Sequence, residues 1–396
     1  MKHSRLARLA DLELEVSLKP STRRTRLRMA TTDLFPDALD WETWTALTLQ
    51  QKAAAAAPHA SPSLIAAALP AIAPHCTCVE LVRLTAACRE LRAVEQLPIF
   101  FDQEDIGWDA RYSARNIIDF VRQHGRRFLV PTVSPRFGYV EQHDFNTVLS
   151  SVVGLREFRI SASQSIGHTP LERRITSLEA APQARSLTVL HLGSDALHPD
   201  FADLGPLAAC TNLRRLHLEG CAVRDLSPLT RCARLSELSL SWLNLRDISQ
   251  LAQIISLRVL TLSKLDGVSD LTALGRLVAL EELELFRLTT LVILEPLKHC
   301  TALHSLVLTG CAAIEHVRPL AALSRLKRLT LVGCRELTDV SPLARCSSLE
   351  TLNLSHCTSL EGDLTALVNE CASLRLLVLR STKAWCQPRE GLHVRM

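Results

Sequence analysis

The sequence predicts an α/β solenoid: a curved parallel β-sheet on the concave face, short helices or turns on the convex face, and an α-helical cap at the N-terminal end. Three observations predict it. A unit of the form L-x-x-L-x-L opens at Leu213, Leu235, Leu257, Leu280, Leu303, Leu326, Leu349 and Leu374, at intervals of 22, 22, 23, 23, 23, 23 and 25 residues. A second phrase recurs between these units, as "DLSPL" at 225–229, "DVSPL" at 339–343, "LEPL" at 294–297, "VRPL" at 317–320 and "LGPL" at 204–207. Residues 31–150 follow neither pattern and instead alternate helix-favouring runs with breakers.

The N-terminal arm, residues 1–35, is basic. Residues 1–30 carry eight Lys or Arg against Asp11, Glu13 and Glu15, a balance of +5, so a chain of net charge +4 leaves about −1 for the rest. A nearly neutral remainder excludes a surface coated by nucleic acid, and confines any such contact to "STRRTRLR" with Arg23, Arg24, Arg26 and Arg28. That stretch reads as a solvated tail, or as an arm docked on RNA or an acidic protein surface. No secretory apolar run follows the N-terminus. "MKHSRLARLA" is acid-free as in a mitochondrial presequence, but acids arrive at Asp11. No stretch approaches the roughly 18 unbroken apolar residues of a membrane span. The expectation is an intracellular protein, cytoplasmic or cytoskeletal, with no membrane partner.

Residues 36–150 form the expected helical cap region. "DALDWETWTALTLQQKAAAAA" (37–57) favours helix and "PHASPS" breaks it. "SPSLIAAALPAIAPHCTCVELVRLTAACRELRAV" (61–94) reads as two or three short helices, and "DARYSARNIIDFVRQHG" (109–125) as another, ended by Gly125. "RRFLVPTV" is a candidate strand joining the sheet. The 61–94 segment resembles an F-box, with "SLIAAALPAI" at its first helix and "VELVRLTAACRELR" at its Leu-x-x-Val-Cys segment. That resemblance implies docking to a cullin-ligase adaptor; the alternative is a helical cap, which a solenoid end needs for solubility. "HCTC" at 75–78 with Cys88 lacks a second Cys pair at metal spacing, so buried helical cysteines account for it better than zinc.

The solenoid occupies residues 151–396, with Leu187 ("LTVLHL") opening a further unit and Leu155 ("LREFRI") a degenerate one, about nine to ten in all. Alternate strand residues share a face, so the Leu pair of each L-x-L points inward and the residues between point out. One short strand cannot bury that face alone, but stacked units make a continuous aliphatic core. Pro suits the first turn of each return because the amide it lacks would be unsatisfied there. Asp225, Asp247, Asp270 and Asp339, just upstream, can accept from neighbouring amides. The phrasing resembles the internalin-like, 22-residue class of leucine-rich repeat. Its cysteine-rich variant is similar to repeats of trypanosomatid flagellate proteins, which implies a fold and suggests a flagellar axoneme without naming an activity.

The cysteines fall on the register. Eight residues on from a repeat start stand Cys221, Leu243, Leu265, Leu288, Cys311, Cys334 and Cys357, the place where such repeats put Asn or Cys to bond exposed carbonyls. Three residues before a start stand Cys210, Cys232, Cys300, Cys346 and Cys371, where Ile254, Leu277 and Leu323 substitute, a slot for a small buried hydrophobe. Nine of the thirteen cysteines thus have a packing role; the odd count and the missing secretory segment point to free thiols in a reducing compartment.

The outward positions name the candidate interaction surface: Arg215, His217, Glu219, Glu237, Trp242, Lys264, Glu282, Glu284, Phe286 and Arg287. His217 beside Glu219 is the one acid/base pairing on it, and no nucleophile or ordered third partner accompanies it. The chain contains no GxGxxG, P-loop or HExxH, and no cofactor is implied. Trp242 and Phe286, flanked by Arg and Glu, have the composition of an interface centre. The expectation is a non-enzymatic scaffold or structural subunit of a large assembly, axonemal, ribonucleoprotein or other. The alternatives are an F-box-type substrate receptor and RNA binding through the basic arm.

Overall fold

The computed structural model describes residues 13–16, 25–28, 98–101, 129–133, 140–152, 154–160, 170–193 and 196–396. The F-box-like segment at 61–94, the helices expected at 37–57 and 109–125, "HCTC", Arg23 and Arg24 lie outside the described residues. The chain divides into two compact units, residues 1–100 with 123–131, and residues 101–122 with 132–396. In the first, β1 (Glu13–Val16) pairs antiparallel with β2 (Thr25–Arg28), placing Glu13 opposite Arg28 and Glu15 opposite Arg26. Arg26 and Arg28 therefore belong to a strand, where the sequence suggested an arm. The strand β3 spans Pro98–Phe101.

The second unit is built by the leucine repeat. The strand expected from "RRFLVPTV" is β4 (Leu129–Val133), whose Thr132 and Val133 register with Glu157 and Phe158 of β5 (Glu157–Ile160). There follow β6 (Val189–Leu192), β7 (Arg215–Glu219), β8 (Glu237–Ser241), β9 (Val259–Ser263), β10 (Glu282–Phe286), β11 (Ser305–Thr309), β12 (Arg328–Thr330) and β13 (Thr351–Asn353). Each pairs in parallel with the next, so the degenerate Leu155 and Leu187 units enter the same sheet.

Registration is set by the leucines. Leu216, Leu238, Leu260, Leu283, Leu306, Leu329 and Leu352 are direct partners along one column. All are essentially removed from water, as are the repeat-opening leucines from Leu213 to Leu349. Full burial of one such side chain is worth about 1.5–3 kcal/mol, and a slip by one residue would turn each strand's leucines to solvent. The ladder of identical residues is therefore its own register lock.

The convex returns are five-residue 3-10 helices: Gly205–Ala209, Ser227–Arg231, Ser249–Gln253, Thr272–Arg276, Glu295–His299, Arg318–Ala322 and Ser341–Arg345. The upstream aspartates do accept amides. Asp225, Asp247, Asp270 and Asp339 each take the N–H two residues ahead at 2.8 Å. Where the repeat interval lengthens to 25 residues before Leu374, the return relaxes to a true α-helix, α2 (Thr365–Glu370), with Val368 N–H donating to the Leu364 carbonyl at 3.0 Å. Two or three extra residues supply the room an i→i−4 bond needs.

Less regular elements flank the repeat array on both sides. Upstream, α1 (Gln142–Ser151) buries Phe145, Val148 and Leu149, and Phe145 meets Phe158 of β5 edge to face with centroids 5.4 Å apart. Gln142 secures the following segment by accepting from the Thr176 and Ser177 amides at 2.7 and 2.8 Å. Downstream, β14 (Glu361–Asp363) pairs with β16 (Lys383–Trp385), while β15 (Leu376–Val378) and β17 (His393–Arg395) extend the main sheet. Arg389 donates to the carbonyls of Cys371, Ala372 and Leu374 at 2.8 to 3.0 Å, satisfying the orphan groups beyond α2.

Candidate functional site

Because each L-x-L turns its intervening residue outward, the open face of the sheet is a set of parallel side-chain columns with one residue per repeat. The column between the two leucines runs Arg159, His191, His217, Ser239, Thr261, Glu284, Val307, Thr330, Asn353. The column one step before the first leucine contains Arg215, Glu237, Val259, Glu282, Ser305, Arg328 and Thr351.

Charges on these columns are cross-braced between strands. Arg215 Nε lies 2.9 Å from Glu237 Oε1. Glu282 receives Arg328 at 3.2 Å from two strands away, and Arg328 also donates to Ser305 Oγ at 3.3 Å on the strand between. The small Ser305 lets the long guanidinium cross over it. Thr261 donates to Glu284 at 3.2 Å. Beyond the face, Arg258 pairs with Glu281 and Lys327 with Glu350, the latter at 3.2 Å. Surface pairs of this kind add little stability singly, but they hold a polar surface in one arrangement.

At the upstream end the rings of His191 and His217 stack with centroids 4.0 Å apart and 8° between planes. His217 Nε2 lies 3.8 Å from Glu219 Oε2. Burial, then the His217 and Arg159 charges, pushes His191 down to about 4, so its imidazole is neutral at physiological pH. His217 is lowered too, by burial first, against the opposing pull of Glu219. The pair is thus a neutral, stacked platform rather than a cation. His191 was not among the sequence candidates, although its signal was available: it stands four residues after Leu187, as His217 stands four after Leu213.

The structure corrects three assigned positions. Trp242, Lys264 and Arg287 are not on the strands; they stand one residue beyond β8, β9 and β10, at the bend where the chain leaves the sheet. All three have left-handed backbone, with φ of 57°, 54° and 54°. The same slot in other repeats holds Gly220, Gly310 and Gly333 at 71°, 73° and 73°, then His356 at 61° and Ser381 at 58°. One geometry explains the column: the amide at this slot makes a last ladder bond to the next repeat, as Trp242 N–H does to Ser263 O at 3.0 Å and Lys264 N–H to Phe286 O at 2.8 Å. Turning the chain inward immediately afterwards requires positive φ. Of the two aromatics assigned to the sheet, only Phe286 is on it, half-buried at the end of β10, while Trp242 is 55% exposed at the bend. Lys264 Nζ lies 3.2 Å from the Trp242 ring centroid.

The residue after that bend is the inward one. Cys311, Cys334 and Cys357 are buried there and donate their thiols to Leu285, Leu308 and Leu331 carbonyls of the preceding repeat at 3.5, 3.4 and 2.9 Å; Cys221 is buried at the same slot. The other slot, three residues before a repeat start, is more than a hydrophobe's place. Cys232, Cys300, Cys346 and Cys371 there donate to Leu207, Leu274, Leu320 and Leu343 carbonyls at 3.2 to 3.5 Å. Desolvation pushes most of these thiols up to about 11, and Cys334 further. They are poor nucleophiles and poor ligands in that state. Among the described residues no three His, Cys, Asp or Glu side chains converge as metal ligands, and no helix is long and apolar enough to cross a membrane.

No protein-family model and no curated protein matches the chain. Among solved structures it is similar to an internalin (InlF) from Listeria monocytogenes strain 4b F2365, at 18% identity, over 80% of this chain and 92% of that one, with a TM-score of 0.58. An internalin C2 (InlC2) from the same strain aligns over 48% of this chain and 79% of that one, at 24% identity and a TM-score of 0.37. The first likeness is one of fold, and with the strand register it makes the chain an internalin-like leucine-rich-repeat solenoid.

Proposed function

We propose that this leucine-rich-repeat chain is a non-enzymatic protein-interaction scaffold that holds its partner on the open face of the sheet between Arg215 and Arg287. One observation carries the reading: an exposed Trp242 and a half-buried Phe286 border a sheet face whose Arg215, Glu237, Glu282 and Glu284 are already braced by neighbouring side chains. Such a surface needs little reordering to bind, and its aromatic edge supplies the desolvated contact on which affinity concentrates. His217 stands beside Ser239 on the next strand, but its ring is stacked on His191 and directed to Glu219 rather than bonded to that hydroxyl, which supports contact rather than chemistry as its role. The buried thiols that donate to carbonyls support an intracellular, reducing setting, since oxidation would remove those donors. Membership of a fixed assembly, axonemal or ribonucleoprotein, is the finer form of this proposal.

The test is mass spectrometry of proteins that co-purify with the tagged chain at low and high salt, for wild type and for Trp242→Gly with Phe286→Ala. Glycine at 242 keeps the left-handed bend and so separates lost contact from lost fold. Partners retained by wild type at high salt and lost by the double variant, at unchanged melting temperature, support the proposal. Equal capture by both proteins overturns it. A cullin and its adaptor as the dominant partners would favour the substrate-receptor alternative, with the 61–94 segment as its docking element.

A further inference from the structure

The bend column changes character along the solenoid. From Trp242 to Arg287 it presents three large side chains on strained backbone. At Gly310 and Gly333 it presents none, and side chains resume with His356 and Ser381. The two glycines leave a groove of about 660 Å³, with Arg287 at one end, His356 at the other and Arg335 and the hydroxyls of Thr289, Thr309 and Thr358 along its sides. The Arg287 stem lies across Gly310, its Cγ only 3.1 Å from where a β-carbon would stand. At Gly333 a β-carbon would meet nothing but the Gly310 backbone, at 3.7 Å. Glycine at 310 therefore admits Arg287 into the groove, and glycine at 333 leaves the space beyond it open.

The charge of this groove is not balanced. On the neighbouring columns Arg215, Arg258, Lys327 and Arg328 are each paired with a glutamate. Among the described residues Arg287 and Arg335 have no carboxylate partner, and no residue lining the groove is acidic. Arg287 also stands in a left-handed conformation that is unfavourable for a non-glycine residue, where its neighbours in the column show that glycine would serve. A guanidinium kept at that cost, unpaired, beside hydroxyl donors, is arranged for an oxyanion supplied from outside.

We infer that the groove floored by Gly310 and Gly333 is an oxyanion site, in which Arg287 and Arg335 take the carboxylates or phosphates of an acidic segment of a protein partner. The inference rests on the reading of the chain as a protein-binding scaffold and names the chemistry of what it binds. An extended segment fits the shape: the groove is open and its lining runs along the column from Arg287 to His356. The segment's apolar residues then fall toward Phe286 and Trp242, and its acidic residues in the groove.

Fluorescence anisotropy with the full chain tests this, using a fluorescein-labelled peptide of alternating Glu and Ser, with and without phosphate on its serines. The variants are Arg287→Gly, Arg335→Gln and the two together, with Lys298→Gln on the convex face as control. Arg287→Gly relieves the bend, so its melting temperature stays level or rises and misfolding cannot explain a loss. The expected result is saturable binding that weakens with salt, falls about tenfold or more for each arginine removed, and is unchanged in Lys298→Gln. The phosphorylated and plain peptides tell whether phosphate or carboxylate is preferred. Absence of binding by either peptide, or an equal loss in the control, overturns the inference. So does tighter binding of a single-stranded RNA oligomer that is lost in the same double variant. Failure here with co-purification still dependent on Trp242 and Phe286 removes the anion site and leaves the scaffold standing; the reverse result removes the sheet-face reading alone.

Discussion

Lys264 sits over the indole of Trp242, its ammonium 3.2 Å from the ring centroid, and both residues occupy the same left-handed slot of successive repeats. An ammonium over an exposed indole contributes about 0.5–1 kcal/mol, while each left-handed non-glycine residue costs on the order of 1–2 kcal/mol. The stack does not repay its own backbone. Its retention is therefore a matter of surface rather than of stability.

Lys264→Gly is expected to leave the melting temperature level or raised by a few degrees, because relief of the bend offsets the lost ring contact. Lys264→Val, β-branched at positive φ, is expected to lower it. Thermal denaturation of the two variants side by side checks this; equal melting temperatures would mean that the slot is not strained.

The cysteines predict an alkaline transition. Burial holds Cys221, Cys232, Cys300, Cys311, Cys346 and Cys357 at about 11, against 9.0 when unburied. Between those values the unfolded chain has lost thiol protons that the folded chain still holds. Stability is therefore full below about pH 9, falls as the pH rises through that window, and levels off above 11. Denaturant titrations at pH 8, 9.5 and 10.5 should show the fall. Cys300→Leu with Cys346→Leu, at a slot where Leu277 and Leu323 already stand, should make it shallower.

Two returns, Glu295–His299 and Arg318–Ala322, lack the aspartate cap, with Ile293 and His316 in its place. Ile293 occupies the position where Asp225, Asp247, Asp270 and Asp339 accept the amide two residues ahead, and it is 63% exposed. Ile293→Asp is expected to add about 0.5–1 kcal/mol, and Asp247→Ala to remove about as much. Urea denaturation that shows destabilisation by Ile293→Asp would mean that the apolar side chain has a packing role in the groove it lines with Thr272 and Pro296.

Most of the fold was legible because a one-dimensional stack translates sequence period directly into space. The L-x-L spacing dictates an inward pair in every unit, so strand order, parallel register and the buried cysteine slots all follow from counting. Asp and Pro in the return phrase likewise act within two residues of themselves. The site was less legible. A period does not state the residue at which a strand stops, so Trp242, Lys264 and Arg287 counted as sheet residues although the chain had already turned. Nor does it state which side chains of different repeats meet. The stacking of His191 on His217, the reach of Arg328 over Ser305 to Glu282, and the groove left between Arg287 and His356 all depend on neighbours 22 or more residues apart. Sequence by itself determined the ladder, because the hydrophobic pattern is local and repeated. Only the tertiary structure decided where that ladder bends and which charges are left unpaired at the bend, because both depend on side-chain reach across strands.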